Sequence, residues 1–209
     1  MTQSEYLADP CGVSSLPYWK TEGIQVPEHM QIVHHRDFSD VLLDTYQDEP
    51  YFRLRHSLTK VDPPVLPAGF SFGTASLAEF SQHINHCYDK PCMTEAILEG
   101  YRQQPVFCEA LWLVIQEEQS GAIAASGIAA LDQRIGEGIL DWIQVSRDCR
   151  RMGLGRCMVS ELLNRLRSRA DFVTVSGQIK NPGRPEALYR SCGFTGEDVW
   201  HVLTKKCRL

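Results

Sequence analysis

The sequence predicts an α/β fold, a mixed and mostly antiparallel sheet flanked by helices. Three observations predict it. Apolar runs at residues 110–117, 122–132 and 137–145 are separated by turns of only four residues, which implies an antiparallel meander. A helical stripe follows directly, with Val159, Leu162, Leu163 and Leu166 at i, i+3, i+4 and i+7. A further strand, short helix and strand then close the chain.

Taken in order, residues 1–61 carry Pro, Asp and His, with short strand-like pieces at 31–34 and 51–55 joined by Asp-rich turns. Alone they could hardly bury a core, so they read as an N-terminal extension packing on the main domain. Three prolines and a glycine within residues 62–69 forbid a regular element and mark a linker. The main domain is residues 70–209. It opens with a strand at 70–75. Ser76, with Glu79 three residues on, has the form of a capping box for a helix running to about Cys87. A second helix covers 94–101. After the meander come the amphipathic helix at about 155–170, a strand at 172–179, a short helix at 185–191 and a strand at 198–204. There are no internal repeats.

The chain has 209 residues, 43% of them hydrophobic, long enough to bury roughly 70% of its unfolded surface without metal or disulfide staples. Its net charge of −5 hides an asymmetry. Residues 1–144 hold 8 Lys+Arg against 20 Asp+Glu, and residues 145–209 hold 13 against 6. A basic C-terminal third on an acidic protein argues for a local anionic partner and against a nucleic-acid binder. The acidic remainder is compatible with a cationic acceptor.

No stretch approaches the roughly 20 apolar residues that span a bilayer, so no membrane association is expected. The first residues show neither a basic nor an apolar targeting region, and the expected location is cytoplasmic. Eight cysteines (11, 87, 92, 108, 149, 157, 192, 207) form no Cys-x-x-Cys pair and read as free thiols of a reducing compartment. His83, His86, Cys87 and Cys92 fit no common zinc spacing, so no metal is expected.

The informative run is residues 145–156, between a strand and the long helix. Gly153 and Gly155 let backbone pass close to a ligand, and the first N–H groups of the helix lack intrahelical acceptors. The helix dipole and Arg150, Arg151 and Arg156 add positive charge, which suits phosphate. Neither a dinucleotide-binding Gly-x-Gly-x-x-Gly nor a Gly-Lys-Ser/Thr is present.

Arg150-x-x-Gly153-x-Gly155, with Val145 ahead of it, resembles the Gln/Arg-x-x-Gly-x-Gly/Ala pyrophosphate loop of the GNAT superfamily, the acyl-CoA-dependent N-acyltransferases. Leu188-Tyr189-x-x-x-Gly193-Phe194, together with Asn181 at the end of the preceding strand, resembles that family's second signature, although Asn181 to Tyr189 is about one residue longer than usual. The resemblance covers about two-thirds of the chain and says little about residues 1–61. It implies a sheet splayed between its fourth and fifth strands, 137–145 and 172–179, with acetyl-CoA as co-substrate and an amine of a small molecule or peptide as acceptor. The backbone of Ile143, Gln144 and Val145 should pair with the pantetheine arm. Amides of Arg151, Met152, Gly153, Leu154, Gly155 and Arg156, beside Arg150, should cradle the pyrophosphate, and Asn181 and Tyr189 should approach the cofactor. Tyr189 occupies the position that in many relatives protonates the departing thiolate.

A lysine-like amine is neutral in only about one molecule in 2,500 at pH 7, so attack needs a proton acceptor. Asp141 is the preferred one, placed by period-2 alternation on the face of Ile139, Ile143 and Val145. It could equally orient the amine while water relays the proton, or pair with an arginine. Tyr18, Trp19 and Trp142 could line an acceptor pocket. The main rival reading is a non-catalytic acyl-CoA-binding sensor or scaffold; a remoter one is a Cys/His metal or redox protein. The assembly is left open, and a homodimer is one that the sequence admits.

Overall fold

The computed structural model describes residues 1–21, 23, 25–88 and 92–206. Among these residues eight strands form one sheet: β1 Met30–His34, β2 Tyr46–His56, β3 Phe70–Gly73, β4 Trp112–Glu117, β5 Ile123–Asp132, β6 Glu137–Val145, β7 Phe172–Gln178 and β8 Thr195–Lys205. Their order is β1-β8-β2-β7-β6-β5-β4-β3. The meander β4–β5–β6 is antiparallel as expected, and β6–β7 is the one parallel pair among the described strands.

Among the described residues six α-helices accompany the sheet: α1 Gln3–Ala8, α2 Tyr18–Thr21, α3 Leu77–Cys87, α4 Glu95–Arg102, α5 Leu154–Leu166 and α6 Pro185–Ser191. The capping box at α3 forms as read, with Glu79 N–H donating to Ser76 Oγ (3.3 Å) and Ser76 N–H to Glu79 Oε2 (2.7 Å). The Thr2-x-x-Glu5 pattern makes the same box at α1, a helix the strand-centred reading of the N-terminus passed over.

The stripe Val159, Leu162, Leu163 and Leu166 is buried against one sheet face, on Leu113, Ile115, Leu131, Leu140, Val173 and Val175. Gly127 and Gly138 permit this approach, because a Cβ at either would strike Met158 or Leu166 within 3 Å. On the opposite face, Phe80 and Ile84 of α3 and Leu98 of α4 cover Trp112, Val114 and Ile128.

Residues 1–61 differ from the reading of an extension laid on a finished domain. Strand β2 lies inside the sheet, antiparallel to β7 on one side and to β8 on the other. Phe52, Leu54 and also Arg53 are buried, so both faces of the strand are covered. The sheet therefore runs across the Pro-rich segment at 62–69. Arg53 can be buried inside this strand because it has a buried partner.

That partner is Glu137, the first residue of β6. Its side chain is 0% exposed and that of Arg53 is 3%. Arg53 Nη2 approaches Glu137 Oε1 to 3.5 Å and donates to Tyr6 Oη at 2.8 Å. Tyr6 O–H donates to Glu137 Oε1 (2.7 Å), Thr174 O–H to the same oxygen (2.6 Å), and the Tyr18 N–H to Glu137 Oε2 (3.2 Å). Arg53 Nε also donates to the Pro10 carbonyl at 3.2 Å. A buried ion pair is tolerated only when its remaining donors and acceptors are met. Here Tyr6, Pro10 and Tyr18 of the N-terminal segment meet them together with Thr174 of β7, which pins α1 and α2 over the base of β6.

Candidate functional site

Strands β6 and β7 pair in parallel from Glu137↔Phe172 only as far as Leu140↔Val175. Beyond that point β6 continues along β5 to Val145, while no pair joins it to β7. The Ser146 N–H donates to the Ala124 carbonyl on β5. By antiparallel alternation the backbone of Gln144 also faces β5, and that of Ile143 and Val145 faces the gap. The Val145 carbonyl there accepts from Arg150 Nε at 3.3 Å.

Asp141 sits where the two strands part. The β5–β6 register passes from Ile128↔Trp142 to Ala129↔Leu140, which makes Asp141 the extra residue of a β-bulge. This corrects the period-2 expectation: Ile143 and Val145 pack toward the α5 core together with Leu140, whereas Asp141 lines a cavity with Trp19, Lys20 and Tyr101. One inserted residue reverses the alternation. Asp141 is solvent-accessible at the bottom of a recess; desolvation by the protein around it raises its pKa, and Lys20 opposes that rise.

The loop that follows is shaped for an anion. Arg151 (φ 65°) and Gly153 (φ 87°) are both left-handed, and Gly153 is the N-cap of α5 with no side-chain cap bond. The first turn of α5 carries no acidic residue. A Cβ at Gly155 would lie 3.3 Å from Leu188 and 3.5 Å from Val145, so the small residue lets the helix start close to β6. Of the arginines, Arg150 is tied to Val145 and, through Nη2, to the Cys87 carbonyl (3.5 Å). Arg156 pairs with Asp62 at 3.1 Å, and Arg151 and Met152 are exposed. These features fit a pyrophosphate: uncapped N–H donors, left-handed residues that turn successive amides inward, and positive charge nearby.

Tyr189, on α6, is buried between Phe52 and Phe194, at ring-centroid distances of 6.1 and 5.6 Å. Burial holds its pKa well above the ordinary phenol value, with Tyr88, Cys192 and Asp141 adding to the rise. It keeps its proton at neutral pH. Tyr88 makes an edge contact with Trp142 (5.9 Å), whose indole N–H donates to Tyr101 Oη at 3.4 Å. Tyr88, Tyr101 and Lys20 were missed in the sequence; being aromatic or basic at isolated positions, they carried no spacing signal. Asn181 turns its Oδ1 back to the Gly183 N–H (2.8 Å), a local turn that occupies it.

Behind the loop, Ser146 Oγ donates to the Ile123 carbonyl (3.1 Å), so His83 Nε2–H donates to Ser146 (3.0 Å) and His83 Nδ1 accepts from Ser126 (2.8 Å). Ser126 Oγ in turn accepts from Gln144 Nε2. Burial pushes His83 down to about 4, consistent with this neutral tautomer. The chain of bonds ties α3 to β5 and to the start of the loop. His83 thus spends both ring nitrogens on serines, and its contact with Cys87 Sγ (3.7 Å) meets a thiol that burial pushes up to about 11. Among the described residues no group of three His, Cys, Asp or Glu is placed to hold a metal ion. A groove of about 590 Å³ opens beside the loop, between α3 and the start of β5, with Ser146, Asp148 and Cys149 on its loop side. Cys149 is half-buried with its pKa raised by desolvation; Cys207 and part of the 87–93 loop lie outside the described residues. No described helix is long and apolar enough to cross a membrane.

A parallel pair that splays at a bulge, followed by a glycine-rich turn into a helix, is the arrangement that the resemblance to the GNAT superfamily implies. Residues 109–196 match the family model described as the acetyltransferase (GNAT) domain. The structure resembles a GCN5-related N-acetyltransferase from Sphaerobacter thermophilus (TM-score 0.65, 21% identity, 88% of this chain and 62% of that one). It also resembles a Drosophila protein (0.60, 19%, 77% and 52%) and the ribosomal-protein-S18-alanine N-acetyltransferase of Escherichia coli (0.51, 18%, 67% and 96%). The chain spans less than two thirds of the first two. No curated protein matches it in sequence. The protein has the GNAT fold, and residues 109–196 are similar to the acetyltransferase (GNAT) domain.

Proposed function

We propose that the protein transfers an acetyl group from acetyl-CoA to a primary amine by direct attack in a ternary complex. The observation that carries this reading is the coincidence, at one end of β6, of a strand splay, a left-handed uncapped helix start, and a carboxylate, Asp141, close enough to the Tyr189 phenol to raise its pKa. Residues 151–156 would hold the pyrophosphate through their amides, and the gap-facing backbone of Ile143 and Val145 would hold the pantetheine arm. Bound there, acetyl-CoA supplies the acetyl thioester. Asp141 accepts or relays the proton of the incoming ammonium, its raised pKa bringing it nearer the working pH than an ordinary carboxylate. Tyr189, kept protonated by burial, returns a proton to the departing thiolate. The described residues offer no nearby thiolate for a covalent route, since burial raises the pKa of Cys87, Cys149 and Cys192.

The test is release of free CoA from acetyl-CoA in the presence of a panel of amines, aminoglycosides and peptides. Turnover with at least one class is expected, and Tyr189→Phe should slow it by at least about tenfold with CoA affinity little changed. Absence of turnover with every class contradicts the reading; unchanged turnover in the variant removes Tyr189 as the acid.

A further inference from the structure

The bulge carboxylate faces a small cavity whose other wall comes from outside the segment that matches the family. The cavity is about 30 Å³, space for a head group of a few atoms, and its lining includes Trp19, Lys20, Tyr101, Phe107, Trp112 and Asp141. Trp19 and Lys20 belong to α2, which the Tyr18 N–H bond to Glu137 and the Tyr6 bond to the same carboxylate hold over β6.

Among the described residues this wall carries one donor without a partner and one cation. The Trp19 indole N–H is buried and has no partner among the described residues. Indole can only donate, and buried donors are rarely left unpaired, so an acceptor oxygen is the group that completes it. The Lys20 ammonium lies 5.2 Å from the centre of the Trp19 ring and acts on Asp141 across the cavity. The residues that line the cavity thus include Trp19, with its unpartnered donor, and the cation Lys20 from α2, and the carboxylate Asp141 from β6, with aromatic rings beside them.

We infer that the acceptor is a zwitterionic α-amino acid, its ammonium on Asp141 and its carboxylate on the Trp19 N–H and Lys20; this rests on the transferase reading above and names the substrate class of that site. A plain amine meets Asp141 in competition with Lys20 and leaves the indole N–H unmet. A polyamine brings a second cation to Lys20, and an amine-free acid brings a second anion to Asp141. Only a group with both charges a few atoms apart meets both walls within so small a volume.

Calorimetric binding to the full chain compares L-alanine, L-leucine and L-phenylalanine with ethylamine, 3-methylbutylamine and 2-phenylethylamine, which lack only the carboxylate. At least one amino acid should bind about tenfold or more tightly than its amine, the scale of a charge-assisted hydrogen bond. Trp19→Phe, which keeps an aromatic ring and loses the N–H, and Lys20→Gln should each shrink that ratio. The inference is overturned if no amino acid binds, if the amines or L-leucinamide bind as tightly, or if the ratio survives in both variants. Acetyl-CoA binding, measured separately, keeps the two claims apart. Acetyl-CoA binding without amino-acid binding sinks this inference and leaves the transferase reading standing; the reverse result sinks the transferase reading.

Discussion

Glu137→Leu is expected to destabilise the protein by about 3–5 kcal/mol in urea unfolding, because it strands the Arg53 guanidinium without its counter-charge in a fully buried site. Against a typical total of about 5–15 kcal/mol, that is a large share. The loss is not confined to one pair: Tyr6 O–H, the Tyr18 N–H and Thr174 O–H all end on the same carboxylate. The variant should therefore also loosen α1 and α2 and raise the KM for the acceptor more than for acetyl-CoA. The double variant Arg53→Met with Glu137→Leu replaces both charges by apolar volume and should recover part of the loss, with a coupling term that a double-mutant cycle resolves. A single variant within 1 kcal/mol of the parent, or strictly additive singles, would show that the ion pair does not pin the segment.

Asp141→Asn should lower turnover by roughly 10² to 10⁴, the usual worth of a positioned base, with little change in acetyl-CoA affinity. The pH profile separates this from a positioning role. Because desolvation raises its pKa, Asp141 becomes a carboxylate only above the ordinary Asp range, so activity should fall on acidification with a midpoint above that range. In the Asn variant that acidic limb should vanish, leaving only the rise set by the amine itself. A limb that persists in Asp141→Asn assigns it to another group, and a loss smaller than threefold removes Asp141 as the base.

What the sequence conveyed and what it withheld follow a physical division. Elements fixed by local chemistry were legible: the capping box at Ser76 and Glu79, the stripe Val159 to Leu166 that turned out buried, and the glycine turn ahead of the long helix, whose Gly153 turned out left-handed. So was the meander, whose short turns leave little choice of pairing. Features set by a partner far along the chain were not. Arg53 and Glu137 are 84 positions apart and each reads as a surface charge, so neither the burial of β2 nor the placement of α2 could be foreseen. The bulge at Asp141 is a single extra residue within an apolar run; nothing in the order of residues marks it, yet it reversed the face assigned to the carboxylate. The consequence is functional, since the corrected face is the one that meets Trp19 and Lys20.

The central claim, that the splay of β6 and β7 and the turn at Gly153 form a cleft for acetyl-CoA, is tested most directly by thermal unfolding with and without that ligand. At 100 times its Kd, acetyl-CoA should add about 2.7 kcal/mol, a rise of roughly 5–10 °C for a chain of this length, and Gly153→Val should abolish most of the rise by forcing a β-branched residue into a left-handed conformation. An unfolding temperature indifferent to acetyl-CoA and to longer acyl-CoAs would contradict it.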